Sequence, residues 1–267
     1  MPARLQAVGA FLLASNEMAI AAMPKPGQGK TVLLDHFFNG ETIKMETGFT
    51  DPFHYVWEEK DNNGFYFFGN AFTCRGARLS QLPEAPTTAS LRQASVYIIV
   101  DPDTKKETAQ PNYIQPEHVN AITEWVKGGG VLFLMGNDSG NAEFEHFNQL
   151  AEQFGIHFTE NSINRVIGSQ YEMGKFMVPA GNPLLKSVKQ VYMKEISSLA
   201  LKPPATPVFT DKGNNIIAMS KLGKGMVLAV GDPWVYDEYT DGRKIPMEYE
   251  NYKAAQDIAE WLLAHAK

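Results

Sequence analysis

Three apolar segments of the chain each end in a short run rich in aspartate and asparagine. The segments finish at Val100, Met135 and Val230, and the runs that follow are Asp101-Pro102-Asp103-Thr104, Gly136-Asn137-Asp138 and Gly231-Asp232-Pro233-Trp234. If the segments are strands of one open parallel sheet, their carboxyl ends border the crevice in which such sheets usually bind ligands. The pattern therefore predicts that Asp101, Asn137 and Asp232 lie on one rim of the sheet.

The side chains in and near these loops favour a carbohydrate ligand. Carboxylates and amides hydrogen-bond sugar hydroxyls, and aromatic faces stack on the apolar C–H patches of sugar rings. The candidate ligand-binding residues are Asn137, Asn141, Trp234, Tyr236, Tyr239 and Arg243. If the site hydrolyses a glycosidic bond, two carboxylates must serve as acid and base, and the candidates are Asp101, Asp103, Asp138, Glu143, Asp232 and Glu238. Aspartate, asparagine and glycine are also common turn and capping residues, so a purely structural role stays open.

Metal, nucleotide and nucleophilic chemistry have weaker support. Four of the aspartates could offer oxygens to Mg²⁺ or Ca²⁺, but their spacing is not diagnostic, and the six histidines form no paired metal motif. Gly27-Gln28-Gly29-Lys30 lacks the spacing and the preceding strand of a phosphate-binding loop. Cys74, the single cysteine, lacks the small-residue elbow of a nucleophile. We therefore predict no metal and no other cofactor.

Composition limits the class of partner. Of the 267 residues, 44% are hydrophobic and 20% are charged, which are values of globular proteins. The formal net charge is -6 and lysine and arginine are not clustered, which argues against nucleic acid as a partner. No run approaches the roughly 18 to 20 apolar residues that span a bilayer, so we expect a water-soluble protein without a membrane partner.

The predicted elements alternate between strand and helix. Strands are predicted at 31–34, 95–100, 131–135 and 156–158, and helices at 116–127 and 142–154. Right-handed crossovers in such an order place helices on both faces of a mostly parallel sheet, so the prediction is a three-layer α/β fold. Residues 161–206 are irregular, with short strands, and they precede predicted strands at 207–210, 216–220 and 226–230 and a helix at about 252–265.

The first 30 residues are predicted to stand apart from this domain. Residues 1–23 are interpreted as a packed helix, because Leu5, Val8, Leu12 and Met18 fall near one helical face. A cleaved export signal is the alternative, but Asn16 and Glu17 interrupt its apolar stretch. Residues 24–30 combine proline, glycine and polar residues and are interpreted as a linker, which leaves 31–267 as the α/β domain.

Two parts of the chain resemble parts of bacterial polysaccharide-degrading proteins. The segment from Val8 to Met18 resembles the last helix of the α/α barrel in unsaturated glucuronyl and rhamnogalacturonyl hydrolases, glycoside hydrolase families 88 and 105. Residues 30–267 resemble the additional C-terminal domain of some rhamnogalacturonyl hydrolase-like proteins, whose fold is similar to class I glutamine amidotransferases. The matching stretches begin at Phe53, Val100, Pro111, Trp125 and Gly231, and they include His54-Tyr55-Val56-Trp57-Glu58 and Trp234-Val235-Tyr236-Asp237-Glu238-Tyr239.

The resemblance implies a flavodoxin-like or amidotransferase-like sheet and a link to pectin or other uronate-containing polysaccharides in a bacterium. It does not imply either parent activity, because the catalytic barrel is missing and the chain has neither a Gly-x-Cys-x-Gly elbow nor a later His-x-Glu. The leading hypothesis is a domain that binds an oligosaccharide or completes the site of a neighbouring glycosidase barrel. The alternatives are a glycoside hydrolase in its own right and a structural or oligomerisation domain. Cytoplasm and periplasm both stay open.

Overall fold

The fold was analysed in a computed structural model of the chain. The structure describes residues 25–233, 236, 237 and 239–267. The predicted N-terminal helix at 1–23, and the predicted site residues Trp234 and Glu238, lie outside the described residues. Residues 25–30 form a turn whose Gly27 N–H donates to the Arg75 carbonyl at 2.9 Å. The division into helix, linker and domain stays a prediction.

Thirteen strands and five α-helices make up the described part of the chain. The strands are β1 (Thr31–Asp35), β2 (Thr42–Lys44), β3 (Thr50–Pro52), β4 (Arg78–Leu82), β5 (Val96–Val100), β6 (Val131–Met135), β7 (Ile156–Phe158), β8 (Lys175–Met177), β9 (Gln190–Tyr192), β10 (Leu199–Leu201), β11 (Thr206–Asp211), β12 (Asn214–Leu222) and β13 (Gly225–Val230). The helices are α1 (Tyr66–Thr73), α2 (Thr88–Leu91), α3 (Pro116–Lys127), α4 (Phe144–Ala151) and α5 (Asn251–His265).

Nine of the strands form one sheet with a parallel centre. Its order is β4-β1-β5-β6-β13-β12-β10-β7, with β11 also paired to β12. The strands from β4 to β13 are parallel, and the pairs beyond β13 are antiparallel. The β2–β3 and β8–β9 pairs form two small separate sheets. The predicted mostly parallel, open α/β sheet is confirmed, and the antiparallel side extends it.

Helices cover both faces of this sheet, because side chains alternate between the faces along each strand. Ile98 and Phe133 belong to a core shared with residues of α1 and α5. Their neighbours Ile99 and Leu134 belong to a second core, shared with residues of α3 and α4. All four side chains are fully buried, as expected for strands covered on both faces. The result is the predicted three-layer, flavodoxin-like arrangement.

Local sequence explains where the predicted helices begin and end. Helix α3 starts with Pro116 at its first turn and stops at Gly128, with Lys127 near its negative end. Gly155 ends the short 3₁₀ turn after α4 with φ at 77°, a left-handed value that glycine adopts without a steric penalty. No helix among the described residues is both long and apolar enough to cross a membrane.

Candidate functional site

The three strand ends lie side by side, as predicted. In the register of the sheet, Met135 is paired with Val100 on one side and with Val230 on the other. All three strands run parallel, so the loops that start at Asp101, Gly136 and Gly231 leave the same edge of the sheet. The end of β1 lies next to β5 at this edge. Its loop, from His36 to Glu41, therefore joins the same rim.

Asp101 is the centre of a buried polar group at this rim. Its Oδ2 atom accepts hydrogen bonds from the Tyr55 hydroxyl and from Nδ2 of Asn137, both at 2.8 Å. Its backbone carbonyl accepts one from Nδ2 of Asn39 at 2.7 Å. Burial raises the pKa of the Asp101 carboxyl well above its usual range, although the bonds from Asn137 and Tyr55 oppose that shift.

Asp103 ties the same loop to the loop after β1. Its Oδ2 atom accepts from the Gly40 N–H at 3.1 Å and from the Thr108 hydroxyl. Its own N–H donates to the Phe38 carbonyl at 2.8 Å. Burial raises the pKa of the Asp103 carboxyl to about 6, since these hydrogen bonds only partly offset the loss of solvent. A substantial fraction of this carboxyl is therefore protonated near pH 6.

Three side-chain oxygens of this group receive no hydrogen bond from the described residues. They are Oδ1 of Asn39, Oδ1 of Asp101 and Oδ1 of Asp103, and we call them the unsatisfied oxygens. The three residues are 2%, 6% and 2% exposed, so bulk water does not satisfy these atoms. A buried polar atom without a partner costs about 1 to 3 kcal/mol. Such a cost, repeated three times in two adjoining loops, indicates a place where a ligand or ordered water supplies the missing contacts.

Two further carboxylates connect this group to the surface. Glu41 and Glu107 both act electrostatically on Asp101 and Asp103 and raise their pKa values further. We call Glu41, Asp101, Asp103 and Glu107 the acidic cluster. Partial burial raises the pKa of Glu107 as well. Among the described residues, the ion pairs of this cluster are limited to His54, whose Nδ1 lies 2.7 Å from Oε1 of Glu41. Acidic side chains therefore outnumber basic ones in this cluster.

Three of the nine non-glycine residues with a positive φ in the described part of the chain lie at this place. Asp101, His54 and Tyr55 have φ values of 43°, 58° and 44°, in the left-handed region that non-glycine residues seldom adopt. Each costs of order 1 kcal/mol or more, and such residues gather at functional sites when surrounding contacts hold them. Here the strain places the Tyr55 hydroxyl on Asp101 and the His54 ring on Glu41.

Several predicted catalytic carboxylates instead hold the loops in shape. Both oxygens of Asp138 are occupied, by Nδ2 of Asn141 at 2.5 Å and the Ser162 hydroxyl at 2.6 Å. Glu143 caps α4 through the N–H of His146, and Asp232 accepts the Lys194 N–H at 3.1 Å. Asp232 is fully buried. These contacts give Asp138, Asn141, Glu143 and Asp232 structural roles.

The predicted aromatic and basic residues contact residues other than Asp101. Tyr236 is fully buried, with its ring 4.9 Å from that of Phe68 and 5.3 Å from that of Phe133, so it belongs to the core and offers no face to a sugar. Tyr239 stacks on Tyr192 at 5.8 Å. Arg243 donates to Oδ1 of Asp61 at 2.9 Å and thereby joins two loops.

Within the described part of the chain, one group of side chains has metal-ligand geometry. Glu143, Glu145 and His146 bring one candidate ligand atom each within 4.8 Å of one another. The Glu143 carboxylate already accepts the His146 N–H at the start of α4, and the His146 ring stacks on Tyr113 at 4.7 Å. These contacts explain why the three side chains lie together, and no ion is needed to hold them there.

Sequence reasoning singled out Asp101, Asp103 and Asn137 as candidates, and it did not single out the residues that the structure places around them. Asn39, Glu41, His54, Tyr55 and Glu107 come from loops without regular periodicity. The polar run that follows β1, from Asp35 to Glu41, has the same form as the three runs that raised the prediction. The strand-end argument, if it is applied to β1 as well, selects Asn39 and Glu41.

Comparison with known proteins supports the fold and leaves the activity open. The chain matches no family model and no curated protein. It is similar in structure to the "mmIFT52 N-terminal domain", with a TM-score of 0.66, 14% identity, and 87% of this chain and 97% of that chain covered. It is also similar to the cytoplasmic protein STM1381 of Salmonella typhimurium LT2, with a TM-score of 0.58, 15% identity, and 89% and 100% covered.

Glycosidases also occur among the structural matches. One is the exo-β-1,4-mannosidase Op5Man5 from Opitutaceae bacterium strain TAV5, with a TM-score of 0.48, 10% identity, and 90% of this chain but 36% of that chain covered. The likeness to the first two structures shows a shared fold and nothing about activity. The class defined by fold and rim is therefore a three-layer α/β protein with a buried acidic group at the carboxyl edge of its sheet.

Proposed function

We propose that this chain is a carbohydrate-binding α/β domain associated with the breakdown of uronate-containing polysaccharides such as pectin. The observation that carries the proposal is the set of unsatisfied oxygens on Asn39, Asp101 and Asp103 at the strand-end rim. Sugar hydroxyls are hydrogen-bond donors, and amide and carboxylate oxygens are the acceptors that fix their orientation. The resemblance to the C-terminal domain of rhamnogalacturonyl hydrolase-like proteins supports the choice of sugar class.

The position of the polar group supports a binding role. It lies at the carboxyl edge of the parallel strands, where α/β sheets usually hold their ligands. The Tyr55 and Asn137 side chains hold Asp101 in one orientation. A preorganised acceptor loses little conformational freedom on binding, which favours affinity.

The proposal is tested by a binding screen with pectic oligosaccharides, including those with unsaturated ends. Isothermal titration of the full chain should give saturable binding for uronate-containing oligosaccharides. Asp101→Asn keeps the shape of the side chain and replaces one acceptor oxygen with an amide donor, and it should weaken that binding about tenfold, as loss of a hydrogen bond to a buried acceptor does. Glu145→Gln removes an exposed charge on α4 and serves as the control, with unchanged binding. Absence of binding across the screen would contradict the proposal.

A second candidate, hydrolysis of a glycosidic bond, is favoured by one observation. Burial raises the pKa of Asp103 to about 6 beside the carboxylates of Glu41 and Glu107. A carboxyl that is protonated near neutral pH can donate a proton to the leaving oxygen, while a second carboxylate acts as base or nucleophile. The same screen, read by mass spectrometry for shortened products, tests this candidate. Wild-type protein that binds oligosaccharides and leaves them intact would exclude it.

The same rim could instead complete the site of a glycosidase barrel domain. The test is the rate at which a family 105 barrel cleaves an unsaturated oligosaccharide with and without this chain. A rate that rises with wild-type protein and not with Asp101→Asn supports this form of the proposal. Equal rates would contradict it.

A further inference from the structure

A surface groove is lined by the β2–β3 hairpin, the loop that precedes α1 and the edge strand β4. Its volume is about 480 Å³. We call it the hairpin groove. The residues that line it are Ile43, Met45, Asp51, Pro52, Phe53, Val56, Glu58, Glu59, Asn62 and Gln81.

The hairpin exposes apolar side chains at this groove. Ile43 and Met45 are 41% and 43% exposed, and Phe49, in the turn between the two strands, is 75% exposed. They are three of the seven large apolar side chains that are exposed in the described part of the chain. Ile43 is paired with Asp51, and side chains two positions apart share a face, so Ile43, Met45 and Asp51 face the groove together. Exposed apolar side chains that polar residues border are typical of an interaction site.

Acidic side chains border the apolar ones. Asp51, Glu58 and Glu59 line the groove, and among the described residues none of these three forms an ion pair. Glu58 accepts a hydrogen bond from Nε2 of Gln81 at 3.0 Å, and Glu59 accepts one from the Asp61 N–H at 2.7 Å. Both donors are neutral, so they orient the carboxylates without neutralising their charge. The described residues that line the groove include no lysine, arginine or histidine.

The loop that forms part of the groove is held in place by backbone hydrogen bonds. The Tyr55 N–H donates to the Asn63 carbonyl at 2.9 Å, and the Phe65 N–H donates to the Val56 carbonyl at 3.0 Å. Val56 is also buried, which anchors the loop to the domain. A surface that is ordered in advance loses little conformational freedom on binding, which favours affinity for a partner.

We propose that the hairpin groove binds an extended peptide segment of a partner protein, with the pattern basic-x-apolar-x-basic. Alternate side chains of an extended chain share a face, so this spacing turns the apolar side chain and both basic ones toward the groove. The apolar side chain contacts Ile43 and Met45, and the basic ones pair with the carboxylates of Asp51, Glu58 and Glu59. The apolar stems of lysine and arginine add to the contact.

This peptide site is distinct from the sugar site proposed at the strand-end rim. Asn39, Asp101 and Asp103, which carry the unsatisfied oxygens, do not line the hairpin groove. Binding of a peptide therefore does not require binding of a sugar, and either activity can fail without the other.

A matched pair of peptides tests the charge pattern. Acetyl-Lys-Val-Phe-Val-Lys-amide and acetyl-Glu-Val-Phe-Val-Glu-amide have the same apolar residues and opposite charges. Each is titrated into the isotope-labelled full chain while the backbone NMR signals are followed. We expect the lysine peptide to give saturable shifts at the groove residues, with a dissociation constant in or below the millimolar range, and the glutamate peptide to give none. Addition of NaCl to about 0.5 M should weaken the binding, because salt screens exposed charges.

Three results would overturn the proposal. They are the absence of saturable binding of the lysine peptide, equal binding of both peptides, and shifts that map to a surface other than the groove.

Variants locate the contacts. The combined substitutions Asp51→Asn, Glu58→Gln and Glu59→Gln remove three charges and keep an acceptor oxygen at each position. They should weaken binding of the lysine peptide at least about threefold, as expected for the loss of exposed ion pairs. Ile43→Thr keeps a β-branched residue in β2 and should also weaken binding, because apolar contact is lost. Glu145→Gln on α4 is the control and should bind as the wild type does. If the combined variant does not fold, its single substitutions are compared with the control, and affinities equal to that of the control would overturn the proposal.

Sedimentation velocity separates a foreign peptide from a second copy of this chain as the occupant. We expect the wild type and Ile43→Thr to have the same sedimentation coefficient at every protein concentration. Self-association of the wild type that Ile43→Thr abolishes would assign the groove to a second copy and overturn the proposal.

Discussion

The buried carboxyl of Asp103 should make the protein's stability depend on pH in an unusual direction. Its pKa is about 6 in the folded chain, against an ordinary value of 3.8. Between these values the folded state holds a proton that the unfolded state has released. The contribution of Asp103 to stability is therefore fully present below about pH 4 and is lost as pH rises through about 6. Most aspartates that are paired in the native state behave in the opposite way.

The difference between the two pKa values corresponds to about 3 kcal/mol. Replacement by asparagine removes the titration and keeps the size of the side chain. The free energy of unfolding of the wild type minus that of Asp103→Asn should therefore fall by about 2 kcal/mol between pH 4 and pH 7, since part of the full difference is already lost at pH 4. At neutral pH the variant should lose less stability than a typical substitution at a buried position causes, or should even gain stability. The reason is that the Asp103 carboxylate of the wild type is charged and poorly solvated at this pH.

Urea unfolding of both proteins at several pH values from 4 to 7, in chelator, measures this difference. Asp138→Asn is carried in parallel as the same substitution at the same rim, at a carboxylate whose two oxygens are both hydrogen-bonded. A difference that stays constant with pH, or that grows in favour of the wild type as pH rises, would refute the assignment of a raised pKa to Asp103.

Three further predictions concern individual contacts. Tyr236→Ala should destabilise the fold by about 3 to 5 kcal/mol, because the ring is part of the core. Tyr236→Phe should be nearly neutral, because the buried hydroxyl lacks a hydrogen-bond partner among the described residues. Equal unfolding midpoints for the wild type and Tyr236→Ala would argue for a surface role. Tyr55→Phe removes a donor to Asp101 and should cost about 1 to 3 kcal/mol in chemical denaturation, and a variant as stable as wild type would show that this bond contributes little. Gly155→Ala should cost about 2 kcal/mol or more, since its Cβ would lie 2.2 Å from the Lys202 carbonyl oxygen at a positive φ, and an unchanged melting temperature would contradict that geometry.

The central sheet was predictable because its strands are apolar on both faces and end abruptly. The strand ends at Val100, Met135 and Val230 and the helix Pro116–Lys127 were predicted within a residue, since continuous apolar runs, a proline start and a glycine stop are strong local signals. Helix α1 and strand β4 were not predicted. Gly69 lies within α1, and β4 is a polar strand at the edge of the sheet. Neither segment therefore shows a clear periodicity of apolar residues in the sequence.

The site was only partly predictable, for physical reasons that apply residue by residue. Asp101 and Asn137 were found because strand ends of a parallel sheet share an edge. Their partner Tyr55 was not, because it lies 46 residues from Asp101 in a loop held at a positive φ that no local pattern encodes. Tyr236 was misread because an aromatic residue in a polar loop gives no sign of whether it faces solvent or the core.

The account depends most directly on whether the rim around Asp101 binds a uronate-containing sugar. The decisive measurement is isothermal titration of an oligogalacturonide into the wild type, Asp101→Asn and Asp138→Asn. We predict saturable binding by the wild type and Asp138→Asn, and binding weakened about tenfold in a folded Asp101→Asn, as expected when a buried acceptor oxygen is replaced by an amide donor. Equal binding by all three proteins would place the sugar elsewhere and contradict the account.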